Sequence, residues 1–379
     1  MIIYHNSIRN VAIVLFVIAV VLYVCSIRIF GHFWAIQPVT HRYDFMRRLF
    51  PQGIIQAEYP ITRYCNFEQI ETTSAFFTYK EGESDSSALV QFIRDNYSKD
   101  DYFPEETNIT SYFKCHNNPH FVSIYKKDDY IIGCITTRPV NVTYYKSNTH
   151  LVAYYCDWLT VHKMWRKKGV AQQLIQTHEY MQRKTIDNRH KVSLFKREGN
   201  PLSSVVPFIS YDAKMYNLTY CIIPTFALTT KITRVDKKNF RDFAEFLLTN
   251  AQKRFGLGII VDYPAILELI SSNNYHAYMV CRIDSNEILS CFIFRESKAS
   301  MNNVDIIILI ASICCDDNGN DYFNAILHNY SGYYVVIEEI SDNVILKPPN
   351  GARLVTTIPM SYYWYNFAYY TPSRVIIIV

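Results

Sequence analysis

Arg166-Lys167-Lys168-Gly169-Val170-Ala171 is the stretch of this chain whose residue types and spacing point most directly to chemistry. A strand is expected before it, at Leu151–Thr160, and an amphipathic helix after it, at Val170–Lys184. Glycine at such a joint lets the backbone approach a phosphate, and the amides there point inward at a helix N-terminus, where the dipole favours an anion. Arg166, Lys167 and Lys168 add charge suited to a pyrophosphate. On these six residues alone a solvated basic turn remains open. Other combinations carry less. His178 and Glu179 do not complete HExxH, because Gln182 stands where the second histidine would be. Cys156 could act as a nucleophile but reads better as a buried strand thiol. The ten cysteines show no CxxC pair and no metal-ligand spacing, so no metal site is expected, and reduced, buried thiols are the plain reading.

The elements that must position this loop recur along the chain. Strands are expected at His120–Tyr125, Tyr130–Thr137 and Leu151–Thr160, then the helix and a strand at Lys191–Lys196. The same order returns with strands at His276–Ile283, Ile288–Phe294 and Val304–Cys314, a helix at Tyr322–Asn329 and a strand at Tyr333–Ile337. The offset is about 150 residues, so duplicated α/β units around mixed sheets are expected, joined near Ile223–Lys231. The second loop reads Asp316-Asp317-Asn318-Gly319-Asn320-Asp321, whose carboxylates would repel a pyrophosphate. Only the first half should therefore bind the cofactor.

With 379 residues, 49% of them apolar and 19% charged, the chain suits a packed body rather than a disordered one. A net charge of +4, locally clustered, does not argue for nucleic acid. Val11–Ser26 is an uninterrupted apolar run, extended past Arg28 by Ile29-Phe30, and offers the ~20 residues a membrane-spanning helix needs. It is long for a signal peptide, and no A-x-A-like site follows. Arg9 lies on one side, and Arg28, Arg42, Arg47 and Arg48 lie on the other. That asymmetry predicts a single-pass protein with its body in the cytosol.

Four motifs in order then resemble N-myristoyltransferase, from about residue 33 to the end. Phe33-Trp34-Ala35-Ile36-Gln37-Pro38-Val39 resembles that family's acyl-CoA-clamping arm, and Asn96–Asp101 its acidic segment at the peptide site. Trp158–Lys163 with the Arg166–Ala171 loop resembles NFLCVHKKLRSKRLA, and Tyr362–Phe367 with the apolar terminus Val375–Val379 resembles the family's last segment. The resemblance implies an α/β (α+β) fold of tandem acetyltransferase-like (GNAT-like) halves related by a pseudo-twofold, preceded here by one transmembrane helix. The expected parts are a tail at 1–10, an anchor at 11–30, an arm at 31–70, an acyl-CoA half at 71–225 and a peptide-side half at 226–379. It further implies transfer of a long acyl group, myristoyl, from acyl-CoA to the N-terminal glycine of a protein, by a monomer without a metal. Backbone amides of Trp158 and Leu159 would hold the oxyanion, and the carboxylate of Val379 would take the amine's proton. Phe33, Trp34, His162, Arg166, Lys167, Lys168, Gly169, Val170 and Ala171 would contact acyl-CoA, with His162 a packing or cofactor-edge residue rather than a base. Asp100, Asp101, Phe103, Tyr365 and Asn366 would line the peptide site.

The departures fall on the peptide side. The family's Asn before Phe-Leu is Asp157, which could hold the amine, act as a second base, or simply pair with a nearby Lys. Its Thr-Ala-Gly falls on Lys196-Arg197-Glu198-Gly199, whose cations would discourage an ammonium unless Glu198 neutralises them. Its Gly-Asp-Gly falls near Val355–Ile358. Two other readings therefore stay open: acylation of a different amine, and an inactive membrane-bound scaffold. Tyr-, Ile- and Asn-rich composition suits a virus-encoded copy.

Overall fold

The computed structural model describes residues 10–23, 32–51, 53–79, 84–97, 104–185, 192–218 and 229–379. A helix at 10–23 (α1) is followed by the arm: α2 (Phe33–Ile36), α3 (Phe45–Leu49) and β1 (Gly53–Ile54). The first half runs β2 (Ile70–Ser74), α4 (Phe76–Tyr79), α5 (Ser84–Asn96), α6 (Glu106–Thr110), β3 (Phe121–Lys127), β4 (Tyr130–Tyr144), β5 (Thr149–Cys156), β6 (Thr160–Val161), α7 (Val170–Thr185) and β7 (Ser193–Glu198). After β8 (Ile209–Asn217), the second runs β9 (Thr230–Arg234), α8 (Phe240–Arg254), β10 (Leu257–Ile260), α9 (Tyr263–Ser271), β11 (Tyr275–Arg282), β12 (Ile288–Met301), β13 (Val304–Cys314), α10 (Gly319–Ile326) and β14 (Tyr334–Glu338). β15 (Arg353–Tyr365), β16 (Phe367–Ala368) and β17 (Val375–Ile378) close the chain.

The repeated rhythm is present: β3, β4, β5, α7 and β7 answer to β11, β12, β13, α10 and β14. In each half the last two strands are parallel neighbours, β5 with β7 and β13 with β14. The β3–β4 turn is made by Asp128 and Asp129, both at positive φ, the twist that suits a two-residue hairpin. Each half alternates apolar residues toward helices that cover it, which is why the strands read clearly in sequence.

The halves are interlaced rather than merely adjacent. β15 lies between β7 and β8, and β8 pairs with β14. β17 pairs with β10, and β10 with β4 of the first half. One buried cluster consequently takes side chains from both halves, among them Val142, Tyr155, Phe243, Tyr275, Ile310 and Val379. α7 lies close on β4 because Gly133 has no side chain. A Cβ there would stand 2.7 Å from Leu174 Cδ1 and 3.1 Å from Val170 Cγ1.

Three expectations need correction or bounds. α1 is apolar and exposed along its length, and its described part, 10–23, is by itself shorter than a span. Residues 24–30 of the expected anchor lie outside the described residues, and among those described no helix is long and apolar enough to cross a membrane. The expected joint at Ile223–Lys231 falls largely on 219–228, also outside them. Cysteines are less uniformly buried than expected, since Cys115 and Cys315 are exposed.

Candidate active site

β5 and β7 stay paired only from Tyr154↔Ser193 to Cys156↔Phe195. β7 keeps β15 on its other edge along its whole length, Lys196 facing Tyr362, while the chain after Cys156 leaves the sheet as Asp157-Trp158-Leu159. Two parallel strands that part leave a wedge with free strand ends. This one opens beside the residues expected to hold an oxyanion. Trp158 is buried, with its N–H donating to Thr136 Oγ1 at 3.2 Å. The Leu159 N–H donates to Asp157 O at 2.9 Å, a tight local turn. Both amides therefore sit at the parting but have internal partners.

The basic loop follows directly. His162 Nδ1 accepts the Met164 N–H and so caps a short turn at Lys163–Trp165, a local role in keeping with packing rather than base chemistry. Lys167 and Gly169 have φ of 62° and 83°, a left-handed path that turns successive amides to one side. Helix bonding begins with Gln173 N–H to Gly169 O, which leaves the first amides of α7 facing outward beside Val170 and Ala171. Lys168 and Lys127 both lie over the Trp165 ring, at 4.9 and 4.5 Å. Arg166 departs from expectation. Its Nη2 donates to Asn96 O at 2.6 Å and its Nε to Val161 O at 3.2 Å, so it ties the loop to α5 and β6. Lys167 and Lys168 are left as the exposed cations.

Asp157 pairs with an arginine, not with a lysine as one reading had it. Arg138 Nε donates to its Oδ2 at 2.8 Å, and the arginine is almost wholly buried. Burial pushes the Asp157 carboxyl up, and Arg138 opposes that rise. The Arg138 guanidinium lies between the Tyr112 and Tyr155 rings, 5.1 and 5.4 Å away. On the other wall of the wedge, Lys196 donates to Glu338 Oε1 at 2.5 Å, Tyr211 donates to Oε2 at 2.8 Å, and Arg295 stands 3.8 Å from the same acid. Glu338, not the exposed Glu198, neutralises Lys196. Although burial works to raise it, Lys196 and Arg295 hold the Glu338 carboxyl below its ordinary range. Arg138, Arg295, Tyr112, Tyr275 and Glu338 were not singled out in the sequence. The usable signal was a lone charge at the end of each apolar strand run.

Val379 is 3% exposed and shares a buried cluster with Tyr155, Tyr275 and Tyr362. Val261 N–H bonds Ile378 O at 3.1 Å, so the terminus lies beside Asp262, which accepts from Asn117 and Asn141 at 2.9–3.0 Å. Cys156 gains no nucleophilic character, since burial drives its thiol well above the ordinary range. His178 is likewise held neutral: burial lowers it to about 3 between Ser123 and Thr137.

The arm packs against the same sheet. Trp34 stacks on Phe195 at 5.2 Å, and Phe33 is buried edge-on to Tyr64. Tyr365 and Asn366, expected to face a peptide, hold this arm instead. Tyr365 OH donates to Gln37 Oε1 at 2.6 Å; Asn366 exchanges bonds with Gln56, and its N–H donates to Pro38 O. Both are buried with no face toward solvent. Asp100, Asp101 and Phe103 lie outside the described residues.

Comparison with known proteins places this geometry. Residues 87–201 match the acetyltransferase (GNAT) family. One crystal structure of Saccharomyces cerevisiae N-myristoyltransferase with bound myristoyl-CoA superposes with a TM-score of 0.65 at 14% identity, over 89% of this chain and 93% of that one. A second, also with bound myristoyl-CoA, gives 0.67 at 14%, over 89% of both. No curated protein matches by sequence. At such identity the likeness is one of fold: the chain has the mixed α/β, GNAT-like architecture of those N-myristoyltransferase structures, as its motifs led one to expect, but the described residues give no support for the preceding transmembrane helix.

Proposed function

We propose that this chain is an N-acyltransferase that moves a long acyl group, myristoyl first among them, from coenzyme A to the α-amine of a protein's N-terminal glycine. One conjunction carries the reading. The strands part at Asp157-Trp158-Leu159 just ahead of the left-handed Gly169 loop and α7, in a chain with the N-myristoyltransferase fold.

In this scheme the amides at the start of α7, with Lys167 and Lys168, take the pyrophosphate. Phe33 and Trp34 close the arm over the acyl-CoA. The amine nitrogen attacks the thioester carbonyl, a C–N bond forms, the C–S bond breaks and coenzyme A leaves as its thiolate. Negative charge on the former carbonyl oxygen goes to the N–H groups of Trp158 and Leu159, which give up Thr136 Oγ1 and Asp157 O to receive it. The attacking amine must first lose a proton, and the resemblance assigns that proton to the carboxylate of Val379. That terminus is buried, in the cluster that also holds Tyr155 and Tyr275. Asp157, paired with Arg138, orients the segment rather than moving the proton. The apolar residues 11–30 hold the body at the cytosolic face of a membrane, so that substrates are drawn from that surface.

The internal partners of the two amides favour a second reading, an inactive scaffold of the same fold. Full-length protein in detergent, given radiolabelled myristoyl-CoA and a panel of glycine peptides, separates the two. Transfer that disappears when one alanine is added after Val379 supports the mechanism. Acyl-CoA binding without transfer supports the scaffold, and absence of acyl-CoA binding sinks both.

A further inference from the structure

The arm leaves the body between two fixed points. At one end Thr40 O accepts the Val206 N–H at 2.7 Å and His41 bridges Val205. At the other, Gly53 and Ile54 pair with Ala368 and Phe367. Between them the chain makes an outward excursion around α3, and its side chains point away from the core. Phe45, Met46, Leu49 and Phe50 are 62–71% exposed, among the most exposed large apolar residues of the chain. On a helix of ~100° per residue they cover a single arc of about 140°, and Arg47 falls outside it. Arg42 is exposed, Arg47 is held at 3.3 Å by Asp44, and the sequence adds Arg48. An apolar arc bordered by arginines is the pattern of a segment lying in the headgroup boundary of an anionic bilayer. A protein partner would need to cover a short, strongly protruding tip. α1, apolar and exposed on every side, lies less than twenty residues upstream and would hold the same tip against a lipid surface.

We propose that residues 42–50 form a second membrane contact, with Phe45, Met46, Leu49 and Phe50 seated among acyl chains and Arg42 and Arg47 on the phosphates of anionic lipid. The contact rests on the proposed anchoring by residues 11–30 and adds an orientation to it. The arm that closes over the acyl donor is attached to the same surface, and so is the cleft of about 370 Å³ beneath α3, bordered by Arg47, Leu49, Phe208, Trp364 and Tyr370. Acceptors would then be met at the membrane surface itself.

The test uses the full chain in lipid nanodiscs of phosphatidylcholine, with and without phosphatidylserine, and reads hydrogen exchange across 42–50 against the detergent-bound protein. Exchange there should slow by about tenfold or more on phosphatidylserine discs. The slowing should be lost in Phe45→Ser/Phe50→Ser and in Arg42→Glu/Arg47→Glu, while both variants still co-purify with discs. A wild-type chain that co-purifies with discs but exchanges at 42–50 as fast as in detergent overturns the contact and leaves the anchor standing. A chain that does not co-purify overturns both. Slowing that is indifferent to phosphatidylserine and to the charge reversal overturns the assignment of an anionic lipid.

Discussion

Replacing Arg138 with methionine removes a guanidinium that is 1% exposed and bonded at 2.8 Å to a carboxylate itself 11% exposed. The methionine fills much of the same volume between the Tyr112 and Tyr155 rings, so the main loss is electrostatic rather than a cavity. A buried acid deprived of its partner typically costs about 3–5 kcal/mol, because the remaining charge has neither water nor a counter-ion. Spread over an unfolding entropy of about 2.1 cal/mol/K per residue for a chain of this length, that is a fall in Tm of about 4–6 °C, provided the interlaced halves melt together. Asp157→Asn in the same chain removes the stranded charge, so the double variant should recover most of the loss. The coupling between the two positions should exceed about 2 kcal/mol. The assay is differential scanning calorimetry of the full chain and the three variants in one detergent. Transfer activity gives a second readout, since Asp157 leads directly into the Trp158 and Leu159 amides. A single oxyanion donor displaced costs on the order of 10²–10³ in kcat. If Arg138→Met melts within a degree of wild type, or if the double variant is no better than the single, then the pair does not organise the wedge and the account of Asp157 is wrong.

Other consequences are more local. Gly169→Ala meets no atom within 4 Å, so its cost is the positive φ alone. About 1–2 kcal/mol of strain there should weaken coenzyme A binding by roughly 5–30-fold in calorimetric titration, and an unchanged Kd would remove the loop from the site. Tyr365→Phe leaves Gln37 Oε1 buried without its donor, at about 1–3 kcal/mol, and should speed hydrogen exchange across 33–39; an arm that stays equally protected would show that Tyr365 does not hold it. Asp262 is opposed by burial yet held down to about 2 by the nearby His116 ring, 3.6 Å away, and by hydrogen bonds from Asn117 and Asn141. Its folded value lies below the unfolded one of about 3.9, so the stability it adds, about 2 kcal/mol, is complete above that pH and disappears as pH falls through about 2. The acid limb of Tm against pH should therefore flatten in Asp262→Asn, and parallel limbs for the two proteins would refute the assignment.

The legible parts of this chain were those fixed by local pattern. The strand alternation and the helix after Gly169 each depend on a few neighbouring residues, and each forms close to its expected place. The interlacing was not legible. That β17 would join β10, and β10 then pair with β4, is a choice among sheet edges of similar apolar strands, and no local signal distinguishes them. The internal bonds of Arg166 and Tyr365 were hidden for a related reason. Their types fit a ligand site, but the groups that capture them, the Asn96 and Val161 carbonyls and the Gln37 side chain, are distant in sequence or carry no side-chain signature.

The central charges show most clearly how a sound rule can hide a site. The expected strands ended at Thr137 and Phe294, because a charge after an apolar run ordinarily marks the place where a strand meets water. In the structure β4 continues to Tyr144 and β12 to Met301, and the next residue in each case is an arginine: Arg138, and Arg295 at the matching position of the second half. Each strand carries its charge inward because a counter-charge awaits it, Asp157 for one and Glu338 for the other. Those two acids stand just past β5 and at the end of β14, each strand a member of its own half's parallel pair. The duplicated fold therefore brings two arginine–carboxylate pairs to the place where the halves meet, among Tyr112, Tyr155 and Tyr275. Two such pairs are costly to bury, and a hydrophobic arrangement of equal volume would be at least as stable. Their presence at the mouth of the wedge fits a requirement of the site rather than of the fold. Lys196 and Arg295 share Glu338 while Arg138 has Asp157, so three cations stand there against two carboxylates, and under the proposed reaction the arriving amine is best received in its neutral form.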